Sequence, residues 1–283
     1  MTRGDSTVAF APPWPAGRAR PTWGFAEGDA IAPGRTVLRR LGGGRRFETF
    51  LVWDDHRLAV LVAKVLRPDQ ASEPAARHEL AAEAELLARL AHPVVVRGFG
   101  AVTEGRFPHL LLEHLEGPTL AELLERHGPL ALEQLLPLGL HLASALHYLA
   151  AERVVHLDVK PSNVVMGAPP RLIDFSVART HEQAARARRP IGTDAYMAPE
   201  QAAPDGRLGA PADVFGLCAT VYEATAGARA PAPLPRRTPP ALAGIVRAGL
   251  DPDPASRPSA AEVALALQPL VAAQPRGLTL GRR

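Results

Sequence analysis

The stretch VVHLDVKPSNVV, Val154 to Val165, sets Asp158, Lys160 and Asn163 within six residues, between two pairs of valines. The valine pairs read as short buried strands and the polar insert as the loop joining them. A carboxylate at 158 can accept a hydroxyl proton. An ammonium at 160 can steady a moving phosphoryl group, and an amide oxygen at 163 can ligate magnesium. Asp174, in LIDFS, adds a second hard oxygen of the kind magnesium takes. Any one of these side chains is explained as well by a turn residue capping local backbone, but that explanation must then hold for all four at once.

Working upstream, ARHELAAEAELLARLAHP is full of strong helix formers and ends at Pro93, which predicts a helix over 78–90. Leu80, Glu83, Leu87 and Leu90 share one face of it, so Glu83 stands inside an apolar stripe, whereas Glu85 and Arg89 form an i,i+4 pair on the outer face. A carboxylate in such a stripe either reaches past the leucines to water or finds a cation. Lys64, in VLVAKVL, is embedded in equally apolar surroundings, and a pair between the two accounts for both. The glycines of LGGGRRF lie between strand-like runs. Glycine lets backbone N–H groups approach a phosphate, but a glycine-rich hairpin turn has the same composition.

The chain of 283 residues divides by character. Residues 1–33 are rich in Pro, Gly and Ala without apolar period and read as a flexible extension, with Trp14 and Trp23 able to dock on the domain. A single domain is expected over 34–272: strands in an antiparallel meander plus one helix to about 115, then a helical part from about 116, with a tail over 273–283. Capping boxes at Thr119/Glu122 and Ser259/Glu262 mark helix starts, and Leu135, Leu138, Leu142, Leu146 and Leu149 recur at helical spacing.

Hydrophobic residues at 47%, charged residues at 22% and a net charge of +3 describe an ordinary soluble protein, and the short basic clusters read as solvated faces, not a nucleic-acid site. The lone Cys218 excludes an intramolecular disulfide and reads as a small core residue. The histidines lack metal-ligand spacing. Neither a membrane span nor a leader segment is legible, so a cytoplasmic location is expected.

In order along the chain, these motifs resemble the eukaryotic-type serine/threonine protein kinases, from about Val37 to Leu270. LGGGRRFET is similar to the glycine-rich loop, VAKVL to the strand with the nucleotide-binding lysine, HLDVKPSN to the catalytic loop, DFS to the metal-binding DFG, and GTDAYMAPE to the end of the activation segment. Glu83 follows Lys64 by 19 positions, as the family's ion-paired glutamate should. The resemblance implies an α+β, two-lobed protein-kinase-like fold with a small antiparallel-sheet lobe and a larger helical lobe. It implies ATP and Mg2+, and transfer of the γ-phosphate to hydroxyls of protein substrates.

Residue by residue, the resemblance makes Asp158, Lys160 and Asn163 catalytic, and Asn163 and Asp174 the magnesium ligands. It gives nucleotide contacts to Leu41, Gly42, Gly44, Lys64 (held by Glu83), the main chain at Glu113 and Leu115, and Asp174. Leu112 is the expected gatekeeper, Asp213 the anchor of the catalytic loop, and Arg257 the partner of Glu200. Lys160 with Thr193 points to the serine/threonine class.

The sequence departs from the family at four places. Phe47 takes the third loop glycine's position and Thr49 the apolar position over adenine, while Ser176 takes that of the DFG glycine. Leu157 stands where many members have an arginine that grips a phosphate on the activation loop. That loop offers only Thr180 as a phosphorylatable residue in THEQAARARRPI, with Arg186, Arg188 and Arg189 near the usual phosphosites. Activity without loop phosphorylation is therefore expected. Finally, ARAPAPLPRRTPP, 228–240, is too short and proline-rich for the family's substrate-docking helix. A pseudokinase acting as an ATP-binding regulatory module is the alternative, favoured by the altered glycine-rich loop. A small-molecule phosphotransferase is disfavoured by MAPE and its arginine partner. Ending at Arg283, the chain resembles a stand-alone kinase.

Overall fold

Apolar residues alternate along the first strands, and the sheet they build is shown in a computed structural model that describes residues 20–186, 192, 195–203 and 206–274. The chain divides into two compact units, one made of the residues up to Arg89 with Arg97–His114, the other of Leu90–Val96 with the residues from Leu115 onward.

The first unit is a six-stranded antiparallel sheet. Strands β1 (Ala30–Ala32), β2 (Arg35–Gly43), β3 (Phe47–Asp54) and β4 (Ala59–Leu66) run as a meander. Helices α1 (Pro68–Ala71) and α2 (Pro74–Arg89) come next, then β5 (Gly98–Val102) and β6 (His109–Glu113), giving the order β1-β2-β3-β4-β6-β5. Helix α2 packs against β5 and β6. The period-2 alternation of β4 sorts its residues. Leu61, Ala63 and Val65 enter a cluster with Ile31, Val37, Phe50, Val52 and Leu111, and Lys64 falls on the opposite face, towards α2.

Within the extension expected over 1–33, the docking read as open to Trp23 is present in the described part. Trp23 and Phe25 pack on the same cluster. Phe25 meets Phe50 and Phe107 edge-on at 5.5 and 4.9 Å, and Trp23 meets Phe107 at 4.8 Å. The Trp23 indole Nε1 donates to the Leu66 carbonyl at 2.7 Å. Buried aromatic surface holds these contacts within the proline- and glycine-rich composition. Residues 1–19, Trp14 among them, lie outside the described residues.

The second unit is mainly helical: α3 (Leu120–His127), α4 (Leu132–Ala151), α5 (His181–Ala185), α6 (Pro199–Ala202), α7 (Ala210–Ala226), α8 (Pro240–Gly249) and α9 (Ala260–Ala272). Both predicted capping boxes are formed, at Thr119/Glu122 and Ser259/Glu262. The α4 leucines 135, 138, 142, 146 and 149 are all buried, and α4 packs on α7 and α9. Cys218 is buried in α7, where burial pushes its thiol up to about 12 and out of reactive range. Two-residue strands frame the opening motif: β7 (Val154–Val155) pairs with β10 (Arg179–Thr180), and β8 (Val164–Val165) with β9 (Arg171–Leu172). Between α7 and α8, residues 228–239 form turns with no helix or strand. Among the described residues no helix is long and apolar enough to cross a membrane.

Candidate active site

In the first unit, the Lys64 Nζ donates to both carboxylate oxygens of Glu83, at 2.9 and 3.0 Å. Both residues are buried, so the pair answers the question that each raised alone. The ammonium also lies 4.6 Å from the centroid of the Phe47 ring, a cation–π contact made by the residue that takes the third loop glycine's position.

The glycine-rich segment is a tight hairpin. Gly44 N–H donates to Phe47 O at 2.9 Å, and Gly44 O accepts from Arg67 Nε at 2.9 Å. Both backbone groups of Gly44, one of the residues expected to cover a phosphate, are thus engaged within the hairpin. Arg46 pairs with Glu79 of α2. Gly43 is required by close approach, because a Cβ there would lie 2.8 Å from Phe47 O. Leu41 is exposed and Leu112 is buried on β6. Glu113 ends β6, its N–H donating to Arg97 O at 2.9 Å and its carboxylate accepting from Arg97 N at 2.8 Å.

In the second unit, Leu115 lies just before α3, half-buried. The catalytic-loop candidates come together. Lys160 Nζ is 2.6 Å from Asp158 Oδ2, and Asn163 Nδ2 donates to Asp158 Oδ2 at 3.0 Å and to Asp158 O at 2.9 Å. Asn163 O accepts from Ile173 N at 2.9 Å, which ties the loop to the residue before Asp174. Asp174 has φ 63°, in the sparsely populated left-handed region that carries strain in a non-glycine residue.

Beneath the loop sits Asp213 of α7, fully buried. Its Oδ2 accepts from His156 N and its Oδ1 from Leu157 N, both at 2.7 Å. Burial pushes its carboxyl up to about 7, against the two N–H bonds that favour the charged form. His156 is buried against Phe175, ring centroids 4.7 Å apart, with Nε2 facing Ile173 O at 3.2 Å and Nδ1 accepting from Asp158 N at 3.3 Å. Burial holds it below the ordinary imidazole range, so the ring is neutral and structural.

Leu157 has φ 65° and joins an apolar cluster with Val155, Ala184, Ala198, Leu208 and Ala212. Leu157 thus shares an apolar cluster with Ala184 of α5. Gln201 Nε2 donates to Leu157 O at 2.9 Å, and a Cβ on Gly192 would lie 2.8 Å from that same carbonyl. Thr180 caps α5 in a capping box with Gln183. Arg186 is described, whereas Arg188, Arg189 and Thr193 lie outside the described residues.

The large buttress of the unit is Arg257. Its Nη1 and Nη2 fork onto Glu200 at 2.7 and 2.8 Å, and it also donates to the carbonyls of Asp251, Pro211 and Pro252. Tyr196 OH donates to Glu223 at 2.5 Å, and burial with that carboxylate raises its phenol well above the usual range. Sequence reasoning missed Arg67 and Glu48, and of the 20–26 segment it marked only Trp23. Glu48 within β3 and Arg67 just past β4 carry no motif, and only their burial marks them.

A family model for the protein kinase domain matches residues 35–235. The chain is similar to the serine/threonine-protein kinase PknB of Mycobacterium leprae, 30% identical over 196 residues, covering 66% of this chain and 31% of that protein. It is similar to PkaA of Streptomyces coelicolor, 36% identical over 172 residues, covering 58% and 31%. PknD of Mycobacterium tuberculosis is 30% identical over 258 residues, covering 81% and 38%. The chain thus spans about a third of the length of these curated relatives. With the hydrogen-bonded loop at 156–163, the Lys64–Glu83 pair and a match over most of its length, the chain belongs to the protein kinase family.

Proposed function

We propose that this chain is a serine/threonine protein kinase that transfers the γ-phosphate of ATP to protein hydroxyls, and that it needs no phosphate on its activation loop to do so. The observation that carries the reading is the set of side chains converging on the Asp158 carboxylate, with Lys160 and Asn163 both on Oδ2.

Phosphoryl transfer asks little covalent work of a protein, so these residues act by position and charge. Asp158 orients the substrate hydroxyl and takes its proton, its own position fixed by Asn163 below and Lys160 beside it. Lys160 offsets charge on the phosphoryl group in flight. Lys64, held by Glu83, binds the α- and β-phosphates, and the hairpin backbone around Gly42 lies over them. Leu41 covers the base, and the main chain at Glu113 and Leu115 hydrogen-bonds its edge.

The donor set fits magnesium. With Asn163 Nδ2 turned onto Asp158, its amide oxygen is the ligand atom that remains, and Asp174 offers a carboxylate in a conformation the fold holds against strain. Bound magnesium would neutralise phosphate oxygens, with Asn163 and Asp174 holding it. ATP as donor puts this work in the cytoplasm. The substrates are proteins, and the helix-free segment 228–239 argues for a docking mode unlike the family's usual one.

Independence from loop phosphate is supported by the apolar cluster around Leu157, which leaves no cation at that position and anchors the activation segment through Ala184. The alternative, a pseudokinase that binds ATP as a regulatory module, is favoured by one observation, the engagement of both Gly44 backbone groups within the protein. The test is transfer of labelled phosphate from ATP to a generic basic protein by enzyme shown by mass to be phosphate-free. Transfer without a lag supports the reading, and activity that appears only after loop phosphorylation overturns its second half.

A further inference from the structure

Arg67 lies three positions beyond Lys64 and is buried, 6% exposed. Its guanidinium bridges two segments far apart in sequence: Nε donates to Gly44 O at 2.9 Å and Nη1 to Pro21 O at 2.9 Å. Its own backbone N–H donates to Arg46 O at 2.9 Å. One residue therefore holds both ends of the turn at 44–46 and ties it to the segment before β1.

That segment is fixed in turn. Trp23 N donates to Glu48 Oε2 at 2.9 Å, and Trp23 Nε1 to Leu66 O at 2.7 Å. Glu48 is fully buried on β3, directly opposite Gly43 of β2, and its Oε1 lies 3.5 Å from Arg40 Nε. A Cβ on Gly43 would stand 3.1 Å from Arg67 Nη2, so the missing side chain lets the guanidinium lie against the hairpin. Burying a guanidinium and a carboxylate is costly unless partners are found. Arg67 donates to Gly44 and Pro21, and Glu48 Oε2 accepts from Trp23 N, while Glu48 Oε1 is buried without a hydrogen bond among the described residues, with Arg40 Nε 3.5 Å away.

We propose that Arg67, with Pro21–Trp23 as its backstop, is a positioning clamp that fixes the glycine-rich hairpin before nucleotide arrives, so that the segment preceding the kinase-family match is a working part of the nucleotide site. The proposal rests on the ATP-binding reading above. Its physical content is pre-organisation: a hairpin held in one place loses less freedom on binding and binds more tightly. Phe47, in place of a third glycine, is consistent with a loop held firm from outside.

The test combines amide hydrogen exchange on the nucleotide-free full chain with Mg–ATP calorimetry, on wild type, Arg67→Ala, Arg67→Lys and Trp23→Ala. Lysine keeps the charge but cannot bridge two carbonyls with a planar fork. The clamp predicts that amides 42–46 exchange about tenfold faster in Arg67→Ala and Trp23→Ala, with α4 and α7 unchanged, and that Mg–ATP Kd rises by about tenfold. The kinetic loss falls on KM for ATP more than on kcat, and Arg67→Lys is intermediate. Should Arg67→Ala fail to fold, Arg67→Lys and Trp23→Ala carry the test. Unchanged exchange at 42–46 with unchanged Kd overturns the clamp. A wild-type chain that takes up no Mg–ATP overturns the nucleotide reading instead, and the exchange data still decide whether the clamp exists.

Discussion

Asp213 is a buried carboxylate whose two oxygens each accept one backbone N–H from the catalytic loop, at 2.7 Å. Asparagine is nearly the same shape, but it must turn an NH2 group towards one of those N–H donors. Asp213→Asn should therefore destabilise the fold by about 2–3 kcal/mol, read as a lowered unfolding midpoint. The group also writes a pH dependence. Its folded pKa is raised to about 7 from a reference of 3.8, so between those values the folded state holds the proton that the unfolded state has lost. Its contribution to stability consequently falls as pH rises from about 4 to about 7, and Asp213→Asn should lack that slope. At this scale the motif residues were legible because each type has few chemical uses at that spacing. The missing arginine at Leu157 was legible too. The cluster Leu157 shares with Ala184 was not, because an alanine carries no signal until the chain brings it to a leucine 27 positions away.

Elements with local causes were read well from sequence. The capping boxes of α3 and α9 and the leucine period of α4 are set within a few residues, and the structure has them where the pattern puts them. Elements with distant causes were not. A five-residue helix such as α5 and a two-residue strand such as β10 are too short to show a period, and β10 is a strand because it pairs with β7, one of the valine pairs that the sequence does mark. In the 20–33 segment Trp23 is legible as able to dock, but its partners are not, since the aromatic contacts of the segment lie on β3 and in the 103–108 loop. A prediction belongs here. Thr180 is the N-cap of α5, so Thr180→Ala should cost about 1 kcal/mol locally. If the apolar cluster holds the activation segment, the variant should still transfer phosphate within about fivefold of wild type. A steady-state assay checks this, and complete loss of activity would assign Thr180 the regulatory role that the Leu157 cluster argues against.

Across the molecule, two buried ion pairs mark the two units: Lys64–Glu83 in the sheet unit and Arg257–Glu200 in the helical one. The second gathers α6, the start of α7 and the turn at 251–252 onto one guanidinium, whose side chain is 0% exposed. Removing one partner strands the other charge, so Arg257→Met should destabilise by about 3–5 kcal/mol. Denaturant unfolding should show the double variant Glu200→Leu/Arg257→Met losing clearly less than the sum of the single changes. Both pairs were legible in sequence through position and resemblance. The Arg67–Glu48–Trp23 network was not, because nothing in the local pattern around Glu48 in β3 or Arg67 after β4 distinguishes a buried charge from an exposed one.

The most direct test of the central claim is the rate of labelled phosphate transfer from ATP to a basic protein by phosphate-free wild type and Asp158→Asn, with Mg–ATP uptake measured on both. The account predicts that wild type transfers label and that the variant falls by about 10²–10⁴-fold while uptake stays close to wild type. Equal rates in the two proteins, or a wild type that binds Mg–ATP and transfers nothing, would contradict it.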